Sequence, residues 1–251
     1  MKPKRFFQLI GLIMILVFNT GCGSLVYVPG APVIPTHRQN GDTQLRAGWH
    51  PEGYLFSVTH AVDEHMYISA DIYNVKGQIP DEGLSTSKTN QYKIFNWLVE
   101  GGYYHSANER LTYGIGLGAG ASYVDSQTNI YRGVPVPMSF IGTLFKATLT
   151  PYISLTTHPV SIGMGHRLTY LSRTDGSRYP IELLAYEPYL EGRIGSKSIK
   201  IFAGVTAMTP LYDNVYKGFD YSFFSLAIGV EADLSRLLQS KGNKEYRELK
   251  D

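Results

Sequence analysis

The sequence predicts an all-β protein, an antiparallel up-and-down transmembrane β-barrel of about ten strands, with eight or twelve strands as the alternatives. Apolar and polar residues alternate with a period of two over most of the chain, which is typical of strands that bury only one face. Most alternating segments match or exceed the ~9–11 residues that a tilted strand needs to cross the hydrocarbon layer. The composition agrees, because 13% aromatic residues and 26 glycines accompany only 18% charged residues.

The clearest predicted strand covers residues 111–123. Its odd positions are apolar, with Tyr113 and Tyr123 near the two ends, and its even positions are glycine, serine or threonine. Successive side chains of a strand point to opposite faces, so the bare face leaves room for long side chains from the opposite wall. The same alternation, interrupted by turn residues, predicts strands near residues 43–49, 54–62, 65–74, 91–105, 111–124, 143–157, 160–173, 184–195, 199–210 and 221–234.

The connections between these segments alternate in length. Tight turns are predicted at 63–64, 106–110, 158–159 and 196–198, long connections at 75–90, 125–142 and 174–183, and an intermediate one at 211–220. Only the first link, at 50–53, breaks this order by being short. Short periplasmic turns and longer outer loops are typical of outer-membrane barrels. An even strand number also predicts both termini on the periplasmic side.

The N-terminus has the features of a bacterial lipoprotein signal. Three basic residues within positions 2–5 precede a mostly apolar stretch at 6–18, which is too short to count as a membrane-spanning helix. Small residues then lead into Cys22 as in a lipobox, although Asn19 stands where leucine is usual. We therefore predict that residues 1–21 are a signal peptide and that the Cys22 sulfur carries diacylglycerol. The alternative is an ordinary signal peptide or an uncleaved anchor with an incidental cysteine.

The remainder of the chain divides into three parts. Residues 22–40 contain three prolines and no periodicity, which predicts a lipidated, extended linker. The barrel is predicted to cover 41–234, and residues 235–251 form a charged periplasmic tail. Pro151 and Pro188 fall inside predicted strands, where each removes a ladder hydrogen bond and is expected to mark a bulge.

The charge balance argues against a nucleic-acid partner. Loss of the signal peptide removes three of the 23 basic residues and leaves 20 against 21 acidic residues, so the mature chain is almost neutral. It lacks the basic excess that nucleic-acid-binding proteins carry. The single cysteine excludes an internal disulfide and therefore a disulfide-stapled secreted domain.

Charged residues on the polar faces of the predicted strands form the main candidate site. In a barrel of about ten strands the interior is narrow and mostly filled by side chains, and an unpaired buried charge is costly. Near-balanced charge therefore predicts an ion-pair network in the lumen, whereas a soluble barrel would place leucine and isoleucine inside. A selectivity lining or a proton path is the alternative role. The predicted lumen residues are Arg46, Asp71, Glu100, Lys146, Arg167, Glu187, Glu191, Arg193, Lys200, Glu231 and Asp233.

The histidines provide no assigned site. His65, His105 and His158 flank predicted periplasmic turns and are weak candidates for a divalent metal. Strands that are not neighbours hold such residues apart, so no metal site or cofactor is predicted. His166 falls on the apolar face, and local spacing places no serine or acid beside it. No catalytic residue is assigned, and the protein is predicted not to be an enzyme.

Two predicted outer loops are unusually apolar, at residues 125–142 and 179–186. Extension of the strands above the membrane would explain both segments without a ligand. The alternatives are a plug that folds into the lumen or a surface that contacts a partner.

Part of the chain resembles uncharacterised outer-membrane lipoprotein β-barrels of Bacteroidetes. The matching features are Cys22, Tyr27-Val28-Pro29, Pro35, Gly41-Asp42 at the start of the first strand, and a hairpin with the sequence AVDEHMYI at 61–68. The resemblance implies a barrel and an envelope location, and it assigns no functional residues. Its motifs are short, and outside residues 22–73 the chain matches in pattern only.

These observations predict a lipid-anchored protein of the bacterial outer membrane with a largely filled lumen. Its expected contacts are outer-membrane lipids and the covalent lipid on Cys22, with an extracellular ligand or an envelope protein as a further candidate partner. The predicted role is structural or binding through the outer loops. A narrow channel or small-solute transporter is one alternative, and an outer-membrane lipid or peptide hydrolase is the other.

Overall fold

The computed structural model describes residues 24–30, 32–35, 40–50, 53–79, 90–131, 134–173, 181–215 and 219–238. These residues are mostly β-strand, and a short helical stretch at 234–238 follows the last strand. Within these ranges no helix is both long and apolar enough to cross a membrane. The strands are β1 (Ser24–Tyr27), β2 (Thr43–His50), β3 (Gly53–Ala61), β4 (Met66–Ile79), β5 (Asn90–Ser106), β6 (Leu111–Tyr131), β7 (Val134–Thr157), β8 (Val160–Arg173), β9 (Ile181–Gly195), β10 (Ile199–Ala207), β11 (Thr209–Val215), β12 (Phe219–Tyr221) and β13 (Phe224–Asp233).

Ten of these strands close into an antiparallel barrel. From β2 to β10 each strand pairs with the next along the chain, β10 also pairs with β13, and β13 pairs back with β2. β11 continues the course of β10 after an interruption at Met208 and keeps pairing with β9. The prediction of an antiparallel barrel of about ten strands is confirmed, and each predicted strand corresponds to one wall strand.

Alternation along each strand turns apolar side chains outward. On β6, Ile115 and Leu117 are 45% and 67% exposed, whereas Lys146 and Arg167 on the next two strands are only 4% and 3% exposed. A barrel that folds around a dry apolar core in water has the opposite arrangement. The wall therefore presents apolar side chains to its surroundings and encloses polar groups.

The interior and the exterior both change polarity along the barrel axis. Toward the long loops, Tyr92 and Ile94 of β5 face inward and are buried, while Lys93 between them is exposed. Toward the short turns, Glu100 faces inward and Trp97 faces outward. The long-loop end consequently has an apolar core of its own, to which other parts of the chain contribute Leu55, Tyr73, Val75, Val124, Phe140, Leu144, Leu171, Ile181, Leu183, Ala185, Phe202, Met208, Tyr221 and Ala227.

β6 and β7 form a long hairpin that continues beyond the outward-facing apolar side chains of the wall, which we call the apolar belt. β6 has 21 residues and β7 has 24, and their pairing reaches Tyr131 opposite Val134 with one irregularity after Thr128. The apolar region at 125–142 is therefore mostly extended strand, and the described part of 179–186 belongs to β9. Strand extension, rather than a plug folded into the lumen, explains both segments.

Neither proline inside the wall marks a bulge. The β7–β8 register is the same on both sides of Pro151, and only the two pairs around that residue are missing from the ladder. Pro188 lies opposite His166 in an unbroken β8–β9 ladder. The bulge prediction is wrong because each missing N–H is accommodated without an inserted residue.

Candidate functional site

The barrel contains a segment of the chain itself, residues 24–30 and 32–35, which we call the lumen segment. Tyr27, Val28 and Ile34 are each at most 1% exposed. Gly30 O accepts hydrogen bonds from both β8 and β10, and β1 also contacts β5 and β6. The sequence analysis placed these residues in a linker between the lipid and the barrel. Residues 24–27 form β1, and the whole segment lies inside the wall rather than outside it.

The lumen segment begins at the long-loop end of the barrel. β1 pairs in parallel with β12, which follows the connection after β11 and leads into β13. Tyr27 O accepts a hydrogen bond from Ser222 N at 2.8 Å, just before β13 descends. The start of the lumen segment therefore lies beside the long loops.

The other end of the lumen segment approaches the short turns. Ile34 packs against Gly163 near the start of β8, and the chain then enters β2. At the same end, the backbone of Gly41 bonds to Ala61 at 2.9 Å, and the helical stretch after β13 bonds to the β9–β10 turn. The described residues nearest the two termini, Ser24 and Leu238, thus lie at opposite ends of the barrel. This differs from the expectation that both termini share one side.

Arginines of the wall hold the lumen segment through its carbonyl oxygens. Arg167 Nη2 donates to Gly30 O at 2.8 Å, and Arg193 Nη2 donates to Ile34 O at 2.5 Å. The prolines of the segment have no N–H to satisfy, so it presents an excess of acceptors, and guanidinium groups are pure donors. A buried carbonyl without a partner costs about 1–3 kcal/mol. The two arginines remove this cost at Gly30 and Ile34 by donating to their carbonyl oxygens.

Tyr27 links the lumen segment to the charged part of the wall. Its hydroxyl donates to Glu187 Oε1 at 2.6 Å, and Glu187 Oε2 accepts from Arg167 Nε at 2.7 Å. Lys146 Nζ lies 5.4 Å from the centre of the Tyr27 ring, within the range of a cation–π contact. The ring packs in the apolar core of the long-loop end. Tyr27 therefore connects that core to the charged side chains below it, which we call the charged layer.

Among the described residues, the largest ion-pair network lies where β9, β10, β13 and β2 meet. Glu191 pairs with Arg46 and with Arg193, the latter at 2.5 Å. Glu231 lies 3.2 Å from Arg193 Nη1, 3.6 Å from Arg46 Nε and 3.4 Å from Lys200 Nζ. Three bases therefore share two acids, and all except Lys200 are almost completely buried. Breaking such a pair by removing one partner typically costs about 3–5 kcal/mol.

The other lumen acids have different surroundings. Glu100 accepts hydrogen bonds from Tyr67 Oη at 2.7 Å and from Thr150 Oγ1 at 2.9 Å. Asp71 borders a small cavity of about 30 Å³, which is lined by apolar side chains such as Leu55 and Leu98 together with polar ones such as Asn96 and Lys146. Asp233, at the short-turn end, accepts a hydrogen bond from Arg236 N at 3.1 Å. All eleven charged residues assigned to the lumen lie on inward-facing positions of the wall.

A layer of tyrosines lies in the interior toward the short turns. Tyr104 and Tyr152 lie opposite Gly114 from its two sides, and a Cβ on Gly114 would come within 2.6 Å of Tyr152 Cζ. Gly114, Gly116 and Gly118 of β6 thus accommodate side chains from β4, β5 and β7, which are close along the wall, rather than from the opposite wall as the sequence analysis expected. The buried cluster consists of Ile34 of the lumen segment with Tyr67, Tyr104, Tyr152 and Tyr189.

The three histidines considered as metal candidates lie apart from this interior, and so does His166. The rings of His65 and His105 are 5.7 Å apart, whereas His158 lies in the β7–β8 turn. Within the described ranges, no three His, Cys, Asp or Glu residues form a group that could hold a metal ion. His166 stacks on Tyr186 on the outer face, with ring centroids 5.4 Å apart.

Sequence reasoning missed the lumen segment and therefore missed Tyr27. One signal was present, because the supposed linker contains the apolar runs Leu25-Val26-Tyr27-Val28 and Val33-Ile34. Such runs are unusual in a segment that water surrounds. The chain itself matches no protein-family model and no curated protein.

Proposed function

We propose that this protein is a lipid-anchored β-barrel of the bacterial outer membrane that is closed by its own N-terminal segment. Its role is structural or binding, exerted at the long-loop end, and it is not an enzyme. The observation that carries the proposal is the course of the lumen segment, which runs down the interior and bonds to Glu187, Arg167 and Arg193. The lipid anchor rests on the lipobox-like sequence that ends at Cys22.

The outer surface supports a membrane location. Each of the ten barrel strands carries at least one exposed large apolar side chain, whereas soluble monomers rarely expose contiguous apolar patches of more than a few hundred Å². Aromatic pairs lie toward the long-loop end of the belt, with Trp49 opposite Tyr54 and Phe95 opposite Tyr123. Aromatic girdles of this kind mark the interface of outer-membrane barrels. We therefore assign the belt to the lipid.

The interior supports a closed lumen. A barrel of about ten strands is narrow, and here Val26, Tyr27 and Val28 pack in an apolar core at its long-loop end. Below that core, the arginines of the wall are paired with acids and bonded to the lumen segment. A narrow channel would require these groups to leave the path of the solute.

The long hairpin of β6 and β7 supports a binding role. It projects beyond the apolar belt on a base whose interior is packed, with Phe140 buried and stacked under Arg173 at 4.5 Å. A packed base gives the projecting strands a fixed position, which favours recognition of an extracellular ligand or of another envelope protein. The polar outward residues Lys93 and Gln127 at the same level are typical of a surface in water.

Single-channel recording in planar bilayers tests the closed lumen. The wild-type protein is compared with a variant in which residues 24–35 are deleted and Gly23 is joined to Thr36. We expect no stable conductance steps from the wild type and resolved steps from the deletion variant, because the deletion removes Val26, Tyr27 and Val28 from the apolar core and uncovers the charged wall.

The comparison requires a folded variant, which is checked by the compact mobility of the unheated barrel on a denaturing gel. If the deletion prevents folding, a variant with glycine or serine at each of the positions 24–35 replaces it. Stable steps from the wild type would overturn the closed lumen and favour the channel or transporter. Silence from a folded deletion variant would show that the lumen segment is not what closes the barrel.

A further inference from the structure

We infer that the lumen segment carries the mature N-terminus to the cell-surface rim of the barrel, so that the lipid on Cys22 enters the outer leaflet beside the long loops. This inference rests on the proposed membrane location and lipidation. It replaces the expectation of an anchor in the periplasmic leaflet with one at the opposite side of the membrane.

The direction of the lumen segment is the first argument. Ser24 lies opposite Phe219 of β12, which directly follows the 216–218 connection at the long-loop end. Tyr27 and Gly30 bond to Glu187 and Arg167, which lie opposite each other in the β8–β9 ladder. Ile34 then bonds to Arg193, which is six residues closer to the short turns on β9 than Glu187. Since long loops face the outside in barrels of this kind, the start of the segment is on the cell surface.

The second argument is the reach of the remaining chain. Only Gly23 separates Ser24 from Cys22, and two residues span at most about 7 Å even when fully extended. The hydrocarbon core of a bilayer is about 30 Å thick. The Cys22 sulfur therefore cannot return to the periplasmic leaflet while Ser24 remains paired with β12.

The third argument is that the segment is fixed in place. Withdrawal would leave the carbonyl partners of Arg167 and Arg193 unbonded and would separate Tyr27 from Glu187. It would also remove Ile34 from the tyrosine layer and Val26 and Val28 from the apolar core. Because acyl chains cannot pass through so densely occupied an interior, the N-terminus must cross before or while the wall closes around it.

A protease-site experiment on whole cells tests the position of the lipid. A recognition site for tobacco etch virus protease is inserted between Gly23 and Ser24, and the cells are fed an alkyne fatty acid that labels lipoproteins. Two control proteins carry the site between Lys217 and Gly218, at the long-loop end, or between Asn108 and Glu109, in a short turn. Protease added outside intact cells reaches only surface sites.

We expect intact cells to lose the fatty-acid label from the barrel with the N-terminal site, and to show cleavage at the 217 site but not at the 108 site. Label that is lost only after permeabilisation, while the 217 site is cut in intact cells, would overturn the inference. Cleavage at 108 with protection at 217 would also overturn it by reversing the barrel. A barrel that never carries label would contradict the proposed lipid anchor itself, independently of the bilayer recordings.

A disulfide experiment tests the threading without reference to the membrane. A Cβ on Gly163 would lie 3.4 and 3.5 Å from the two γ-carbons of Ile34, which places the two β-carbons near disulfide distance. Oxidation of the pair Ile34→Cys and Gly163→Cys should produce a cross-linked band. The control pair Ile34→Cys and Gly192→Cys should not, because Gly192 faces outward and is exposed. Equal cross-linking of both pairs, or of neither, would contradict the threaded segment.

Discussion

At the residue scale, the interior is organised by complementary hydrogen-bonding capacity. The lumen segment supplies carbonyl oxygens and few donors, and the wall supplies the guanidinium groups of Arg167 and Arg193. Each of these arginines also pairs with an acid, Glu187 or Glu191. Because each guanidinium bonds both to an acid of the wall and to a carbonyl of the segment, the charged side chains of the wall need the segment to complete their hydrogen bonds.

Replacing Glu187 with glutamine is expected to destabilise the barrel strongly. The Glu187→Gln change leaves the Arg167 charge buried without its counter-ion and weakens the bond that Tyr27 donates. Loss of one partner of a buried pair costs about 3–5 kcal/mol. The measurement is the guanidinium concentration at the midpoint of unfolding in detergent micelles. Unfolding is monitored as loss of the compact gel mobility of the unheated barrel.

Glu182→Gln provides the matched control for this change. Glu182 lies on the same strand but on its outer face, where it accepts a long hydrogen bond from Tyr212 Oη at 3.4 Å. Its replacement is expected to change the free energy of unfolding by less than about 0.5 kcal/mol. Equal midpoints for the two variants would show that the Arg167–Glu187 pair does not contribute to stability.

Two glycine substitutions are expected to have opposite outcomes. In Gly114→Ala, the new Cβ would lie 2.6 Å from Tyr152 Cζ and 2.5 Å from the backbone oxygen of Tyr103, so the wall must shift. Overpacking of this kind costs about 1–3 kcal/mol. Gly192→Ala meets no atom within 4 Å and should leave the thermal midpoint unchanged or raised. The measurement is the temperature at which each variant loses the compact gel band of the folded barrel. A Gly114→Ala protein as stable as the wild type would argue against the tyrosine layer.

The orientation of individual residues followed from the sequence, but their partners did not. Parity along a strand is enough to place Arg46 and Glu191 on the inner face, because neighbouring side chains alternate. These two residues are 145 positions apart in the chain, and they meet only because β13 closes against β2 and β10. Local spacing carries no information about that closure or about the register that follows from it.

At the element scale, β4, β6, β7 and β9 extend three to nine residues beyond their predicted bounds toward the long loops, where the polarity pattern of the wall reverses. On β5 the inward residues change from Glu100 and Asn96 to Ile94 and Tyr92, while the outward residues change from apolar to polar. The predicted bounds of β5 include this reversal, whereas β4 was predicted to end at residue 74, close to the same reversal, and continues to Ile79. The hydrogen-bond ladder continues, since a wall in water can bury the apolar face instead.

The lumen segment was assigned to a linker for a related reason. Its prolines exclude it from a regular ladder, and its few residues show neither helical nor strand periodicity. Burial here results from enclosure by ten strands that all come later in the chain. Only the apolar runs within the segment indicate that it is not surrounded by water.

Shortening the β6–β7 hairpin is expected to leave the barrel intact. In the proposed variant, residues 127–139 are replaced by Asn-Gly, which forms a tight two-residue hairpin turn and joins Ser126 to Phe140, its observed partner. The apolar belt lies below this point, so the variant should reach the membrane fraction and keep its compact gel mobility. Failure to form the compact species would show that the extension is part of the folding unit rather than a separate binding platform.

At the scale of the whole molecule, three regions of the barrel must each be in the environment that suits their polarity for the chain to be stable. The belt requires an apolar environment, the charged layer requires ion pairs, and the core at the long-loop end requires water outside and the lumen segment inside. Trp49 and Trp97, the only tryptophans, both lie on the belt and are 53% and 45% exposed. They therefore report directly on what surrounds it.

Tryptophan quenching is expected to distinguish lipid from water around the belt. In vesicles that contain lipids brominated on their acyl chains, both Trp49→Phe and Trp97→Phe proteins should be strongly quenched, because the remaining indole contacts the chains. Iodide in the aqueous phase should have little effect on either protein until the barrel is unfolded. The protein unfolded in guanidinium provides the reference for full access of iodide.

Strong iodide quenching of the folded barrel with no effect of bromine would place the apolar side chains in water and exclude the membrane belt. Quenching of only one variant by bromine would restrict the lipid contact to the side of the wall that carries its remaining tryptophan.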